Sequence, residues 1–335
     1  MTGLDRRRML VLAGAGLATL AGCSESADDD TGNGDGESID GGDLPSYASV
    51  LPETDRSPYF YGAIDVETMT ALVDDDGADA GEEPTDPLVG NPIVLALVGT
   101  FGLNLLATSP AVDPYTAHDE TPDGEASFVY VDGVYAFVGE YDRDGLTAAL
   151  ENAGYESETA DGSYDVVTDP ETGEVVGVTD DLYAFTYPNQ EDPEYDPLAA
   201  VERTVETAVG QREPKHATAD GFDSLLRAGE PSGITLGLYT DAETFGADAL
   251  AGDPEDESDD LEFAFDAFDG AFGVHQHLSL EGDDARASAV VSYADEDRVD
   301  IDRLESMLGT DADSFDVTRD GTFVWLEAEY LGDVS

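Results

Sequence analysis

Lysine occurs once in this 335-residue chain, at Lys215, and cysteine once, at Cys23. A single cysteine excludes an internal disulfide and a thiolate metal cluster. Positive charge is nearly as scarce: 13 Lys plus Arg face 77 Asp plus Glu, for a formal net charge of -64. That balance excludes a nucleic-acid partner, because phosphate binding needs clustered Lys and Arg to displace counterions. It equally excludes a basic membrane-surface helix. The common catalytic signatures are missing too. There is no Gly-x-Ser-x-Gly elbow and no His-Glu-x-x-His, and the one lysine sits in Glu213-Pro214-Lys215-His216, without the glycines of a phosphate-binding loop. No cofactor is expected.

What is present is enough apolar residue for a core: 41% hydrophobic and 9% aromatic, spread through the chain. A compact domain this acidic repels itself at low ionic strength. At about 1 M salt the Debye length falls to about 3 Å and the repulsion is screened. An acidic chain almost without lysine therefore reads as built for multimolar salt. Carboxylates are then background, and runs such as Asp28 to Asp30, Asp74 to Asp76 and Asp253 to Asp260 read as solvated surface. With 77 acids, carboxylate pairs spaced for hydrolysis are expected by chance alone.

The first 22 residues read as a signal peptide. A basic stretch, Arg6-Arg7-Arg8, precedes an uncharged run from Met9 to Gly22 that is too short to span a bilayer. Arg6 and Arg7, followed by Arg8-Met9-Leu10, resemble the twin-arginine export motif, with Asp5 where Ser or Thr is more usual. Leu20-Ala21-Gly22-Cys23 matches a lipobox, in which Cys23 becomes the lipidated first residue; the chain's one cysteine stands where that motif needs it. After processing, 77 - 1 = 76 acids and 13 - 3 = 10 bases remain, a charge of -66. Residues 23–45 then form a glycine-rich acidic tether. The chain resembles lipoproteins that halophilic archaea export by the twin-arginine route, a resemblance carried by Arg6 to Leu10, the lipobox, the tether and the low lysine. It implies a location, the outer face of the cell membrane, with the membrane as partner through the lipid on Cys23. It implies no activity.

Beyond the tether, short matches recur in the same order. Asp65-Val66-Glu67-Thr68-Met69 pairs with Asp241-Ala242-Glu243-Thr244-Phe245, each after a strand-like run (Tyr59 to Ile64; Ile234 to Tyr239). Asp142, Leu146 and Gly154 pair with Asp297, Ile301 and Gly309, and Ser163 to Val166 pairs with Ser314 to Val317. Asp142 and Asp297 read as helix N-caps, with Gly154 and Gly309 as left-handed C-caps. Hairpin signals lie at Asp132-Gly133 and at Gly282-Asp283-Asp284. The expected fold is α+β: two similar strand-helix-hairpin-helix-hairpin units, with antiparallel sheets and helices on one face. The units span 46–210 and 211–335, the first carrying an apolar helical insertion at about 88–109.

From Pro87 to Val112 there is no charged residue. Pro92, Gly99, Gly102 and Asn104 interrupt a membrane span there, so the stretch reads as a helix covering a sheet, with an apolar binding surface or membrane contact as the alternatives. One pair of side chains suggests a metal: His275 and His277 alternate on a strand, so both imidazoles share a face, with Asp266 or Asp269 as a conceivable third ligand. Two solvent-facing histidines are the plainer reading. The function expected from the sequence is a non-enzymatic, lipid-anchored binding or structural module. A carrier with an apolar pocket and a carboxylate- or metal-dependent hydrolase are the alternatives.

Overall fold

A computed structural model describes residues 42–66, 68–69, 86–122, 124–188, 194–229, 233–240, 263–281 and 284–332. Among these, twelve strands form one sheet in the order β11-β12-β10-β9-β8-β1-β2-β3-β7-β6-β5-β4, every pair antiparallel. Its middle is the pair β1 (Tyr59–Asp65) and β8 (Ile234–Tyr239), with Gly62 opposite Leu236. On one side follow the hairpin β2 (Ser127–Val131) and β3 (Val134–Val138), then β7 (Leu182–Thr186), β6 (Val175–Val178), β5 (Asp165–Thr168) and β4 (Glu156–Ala160). On the other follow the hairpin β9 (Gly273–Glu281) and β10 (Asp284–Ser292), then β12 (Phe323–Tyr330) and β11 (Ser314–Asp320). The β2–β3 turn is Asp132-Gly133, with φ of 50° and 78°, the left-handed pair that a two-residue hairpin demands.

The fold is mixed α+β, with seven α-helices among the described residues: α1 (Pro87–Thr108), α2 (Val112–His118), α3 (Arg143–Ala153), α4 (Pro197–Ala208), α5 (Lys215–Thr218), α6 (Asp220–Ala228) and α7 (Ile301–Met307). They do not share a face, which corrects that expectation. Ile64, Phe128, Phe137, Tyr183, Leu236 and Leu278 form one core with Leu95 of α1, Leu146 of α3 and Leu304 of α7. Their strand neighbours Tyr61, Val129, Ala136 and Ala184 form a second core with Val201 of α4 and Phe222 of α6. Successive strand residues point to opposite faces. Runs without a charge at any position, such as Ile234 to Tyr239, fit cover on both sides, and β8 is buried throughout.

The second repeat of the sequence is one helical turn out of register. Asp142 caps α3, accepting from the Gly145 N–H at 3.1 Å, and Gly154 is left-handed at φ 110°. The corresponding cap of α7 is Asp300, which accepts from the Arg303 N–H at 3.1 Å; Asp297 lies in a preceding 3-10 turn, Glu296–Arg298. Cap and core residues then correspond as Asp142, Leu146 and Leu150 to Asp300, Leu304 and Leu308. An apolar pattern at three and four spacings looks much the same when slid by one turn, which is how the shift arises. The segment Asp241 to Phe245 lies outside the described residues, as do Arg6, Arg7 and Cys23.

The lone lysine is an interior residue. Lys215 is buried, pairs with Glu53 at 3.1 Å, and lies 5.6 Å from the ring centroid of Tyr59 and 5.8 Å from that of Tyr239. Thr218 donates to the same Glu53.

Candidate interaction surface

The uncharged stretch Pro87 to Val112 builds α1, a 22-residue helix, about 33 Å long at 1.5 Å per residue. By length and composition it could cross a membrane, yet half of its most apolar window is buried in the fold. It is a layer on the sheet. Pro87 occupies the first turn, where a missing N–H costs nothing.

The inner face fits the sheet closely. Leu95 is fully buried over β1 at Gly62, where a Cβ would stand 2.2 Å from Leu95 Cδ1. Only glycine leaves room for that side chain. Gly99 faces Ile64 and Phe128 more loosely, a Cβ there standing 3.2 and 3.4 Å away.

Buried polar groups bolt both ends. At the start, Asp86 is 1% exposed; its Oδ1 accepts from the Leu88 N–H at 3.1 Å and its Oδ2 from the Tyr330 hydroxyl at 2.7 Å. A carboxylate there also meets the positive end of the helix dipole. Burial, and then the bond to this carboxylate, push the Tyr330 phenol well above its ordinary range. One turn on, Asn91 Nδ2 donates to Gln276 Oε1 and to the Ala264 carbonyl, each at 2.9 Å, and Asn91 Oδ1 accepts from the Ala264 N–H at 2.7 Å. Gln276 completes the set by donating to the Pro87 carbonyl at 3.1 Å. At the other end, Glu174 is fully buried, and its Oε2 accepts from the Ser109 and Tyr155 hydroxyls, both at 2.6 Å. Burial raises the Glu174 carboxyl, and the hydrogen bonds from Ser109, Tyr155 and Tyr187 oppose that rise.

The outer face is apolar and open. Leu97 is 45% and Phe101 56% exposed, and Ile93 and Leu105 continue the same i, i+4 stripe half-buried. Apart from Asn91, the polar side chains of α1 are turned onto its own backbone: Thr100 donates to the Ala96 carbonyl, Asn104 to Thr100 and Thr108 to Asn104, all at 3.0 Å. Such back-bonding uses their donors within the helix. The surface thus offers apolar contact, no charge, and little hydrogen bonding.

Among the described residues the histidine pair gathers no third ligand. His275 and His277 are 1% and 5% exposed, so they are not on a solvent face either. His275 Nδ1 meets the Tyr61 hydroxyl at 2.7 Å, in the core beneath α6. Asp266 lies in the 3-10 turn Asp266–Phe268, whose Ala267 and Phe268 belong to the core on the opposite face of the sheet. β9 places His275 and His277 on one face and Gln276, which reaches α1, on the other, so neither Asp266 nor Asp269 completes a shell. No group of three or more His, Cys, Asp or Glu among the described residues is placed to hold a metal. A cavity of about 150 Å³ is lined by Thr54, Arg56, Phe60, Tyr130 and Asp132, among others, with no α1 residue. It is below the roughly 300 to 1,000 Å³ of usual ligand pockets, and does not place a carrier site beside α1.

Sequence reasoning singled out the α1 segment but not its outward side, because the helix is apolar all round. Asp86, Glu174 and Tyr330 went unseen, for nothing in the sequence separates two buried carboxylates from the rest of the 77 acids.

The sequence matches no protein family and no curated protein. Among solved structures, crystal form III of TP0453 is similar at a TM-score of 0.40 with 8% identity, covering 86% of this chain and 94% of that one. Crystal form I of the same protein gives 0.40 and 10%, covering 87% and 94%. A likeness of that degree specifies neither activity nor partner.

Proposed function

We propose that this protein is a lipid-anchored, non-enzymatic binding module on the outer face of a halophilic cell membrane, exported by the twin-arginine route and held by a lipid on Cys23. The outer face of α1 is its contact surface. One observation carries the binding role: in a chain of net charge -64, a helix without any charge presents Leu97 and Phe101 to solvent. Exposed apolar patches of this kind mark interaction sites, and the bolts at Asp86, Asn91 and Glu174 hold the patch rigid.

The module is built of two related α+β units joined at β1 and β8. Supporting this, each of those central strands is followed outward by a hairpin, β2–β3 on one side and β9–β10 on the other. Each hairpin leads to a helix of equal cap-to-core spacing, and a returning strand, β7 or β12, docks beside the hairpin.

The test is fractionation. The wild-type chain is expected in the membrane fraction with a lipid-modified Cys23 detectable by mass spectrometry, and Cys23→Ser in the soluble fraction. Membrane retention of Cys23→Ser would refute the anchor.

A further inference from the structure

We propose that Glu174 is a proton-controlled latch: the protonated carboxyl holds the junction of α1 and α2 to the sheet, and its ionisation lets that junction open. The latch acts at one end of α1 and stands apart from whatever the outer face of the helix contacts.

The hydrogen bonds place the proton. Ser109 Oγ accepts from the Ala111 N–H at 2.9 Å and turns its own hydrogen onto Glu174 Oε2 at 2.6 Å. Tyr155 donates to the same oxygen at 2.6 Å. Oε2 is thus an acceptor twice over, whereas Oε1 is buried without a hydrogen-bond partner. In the neutral carboxyl the proton belongs on Oε1.

The surroundings disfavour a charge. Facing Glu174 are Ser109 at the end of α1, Tyr155 after α3, Tyr183 and Tyr187 on and after β7, and Asp169 of its own turn. From α2, Tyr115 packs on Tyr183 with ring centroids 4.8 Å apart. None of these is a cation, and among the described residues no Lys or Arg pairs with Glu174. Asp169 adds a like charge. Two hydroxyls are a small return for a fully buried carboxylate, so an ionised Glu174 is driven towards water.

The junction is the part that yields. The turn before β6 is held by bonds that do not use the Glu174 side chain: Gly173 N–H to the Asp169 carbonyl and Asp169 N–H to the Glu174 carbonyl, both at 2.8 Å, and Thr172 Oγ1 to Asp169 Oδ2 at 2.6 Å. Ser109, by contrast, is tied to the sheet side through Glu174 and Tyr155, and its neighbours Thr108 and Pro110 are exposed. Burial raises the Glu174 carboxyl above its ordinary value of 4.5. The latch is therefore closed below the folded-state value and opens as pH rises through it.

Hydrogen exchange tests this on the full chain carrying Cys23→Ser in high-salt buffer, from about pH 4 to about pH 8, with rates corrected for the intrinsic dependence on pH. Protection of peptides covering 105–118 should fall by about tenfold per pH unit above a midpoint, as release of one proton requires, while β1 stays protected. Glu174→Gln, which accepts the same two bonds and carries no charge, should keep the junction protected throughout. Tyr155→Phe removes a donor that favours the ionised form, so its midpoint should move up by about one pH unit; a merely structural loss would lower protection equally at every pH. Protection that is flat with pH in wild type, or that falls alike in wild type and Glu174→Gln, overturns the latch. So does a Tyr155→Phe midpoint that stays in place or moves down, a result that is readable even where Glu174→Gln fails to fold.

Discussion

The fit of α1 to the sheet predicts a reversal of sign. Leu95 is fully buried against β1, and a Cβ on Gly62 would stand 2.2 Å from its Cδ1 and 2.7 Å from its Cδ2. Ordinary carbon contacts lie near 3.5 to 4.0 Å, so Gly62→Ala must displace Leu95 or shift the helix. That overpacking costs about 1 to 3 kcal/mol, against a gain of about 0.5 to 1 kcal/mol from replacing glycine within a strand. The net expectation is a loss of about 1 to 2 kcal/mol. Leu95→Ala alone leaves a cavity and should cost about 3 to 4 kcal/mol. With Ala at position 95 the clash is gone and the new methyl enters the vacated space, so Gly62→Ala then becomes neutral or stabilising. The coupling between the two sites is about 1 to 3 kcal/mol. Urea unfolding at high, constant KCl reads it as shifts in midpoint at unchanged slope, followed by the fluorescence of Trp325, the only tryptophan. Additivity within about 0.5 kcal/mol, with Gly62→Ala destabilising equally in both backgrounds, would show that α1 does not rest on β1 through this contact.

Two further outcomes follow from single residues. Burial raises the Glu174 carboxyl above its ordinary value of 4.5, so the folded chain holds a proton where the unfolded chain has released it. That contribution to stability is fully present below the unfolded value and is lost as pH rises through the folded one; in urea melts at about pH 4 and about pH 7, Glu174→Gln should gain on wild type at the higher pH, and parallel behaviour of the two would contradict the assignment. Asp300→Ala should cost about 1 kcal/mol as a lost helix cap, while Asp297→Ala, outside the helix, should stay within about 0.5 kcal/mol; the opposite ranking of midpoints would restore the register expected from the sequence.

Much of the fold was legible because local rules determine it. The strands at Tyr59, Phe128, Val134, Leu182 and Ile234 follow from apolar runs, and the β2–β3 hairpin from Asp132-Gly133, a dipeptide that tolerates the left-handed pair. The α7 register was lost because amphipathic spacing repeats each turn. The layering was lost for a different reason: hairpins suggested a sheet covered on one face, yet the central strands lack the polar alternation that a solvated face produces and that β10 and β12 do show. Val134 to Val138 and Leu182 to Tyr187 contain no charge, and that continuity was the available signal for helices on both sides. Burial of His275 and His277 follows from the same layering, since β9 lies under α6 on one face and α1 on the other.

In so acidic a protein, composition inverts the usual signals of function. Elsewhere a cluster of carboxylates attracts notice; here acids are the ground, and the candidate surface shows as a gap in them. The structure restores meaning to particular acids by burying them. Asp86 is 1% and Glu174 0% exposed, so each needs partners that a surface acid does not. Both find them at the ends of the one uncharged helix. Removing water from a carboxylate costs several kcal/mol; the bonds from the Leu88 N–H and Tyr330 oppose that cost at Asp86, and those from Ser109 and Tyr155 oppose it only in part at Glu174, whose carboxyl stays raised. An apolar helix on an apolar sheet could slide or rotate with little change in buried area, because the hydrophobic effect is non-directional. The two buried acids remove that freedom, and with it the choice of which residues face outward. Leu97 and Phe101 face outward in the one rotation that Asp86, Asn91 and Glu174 hold together with the fit of Leu95 over Gly62.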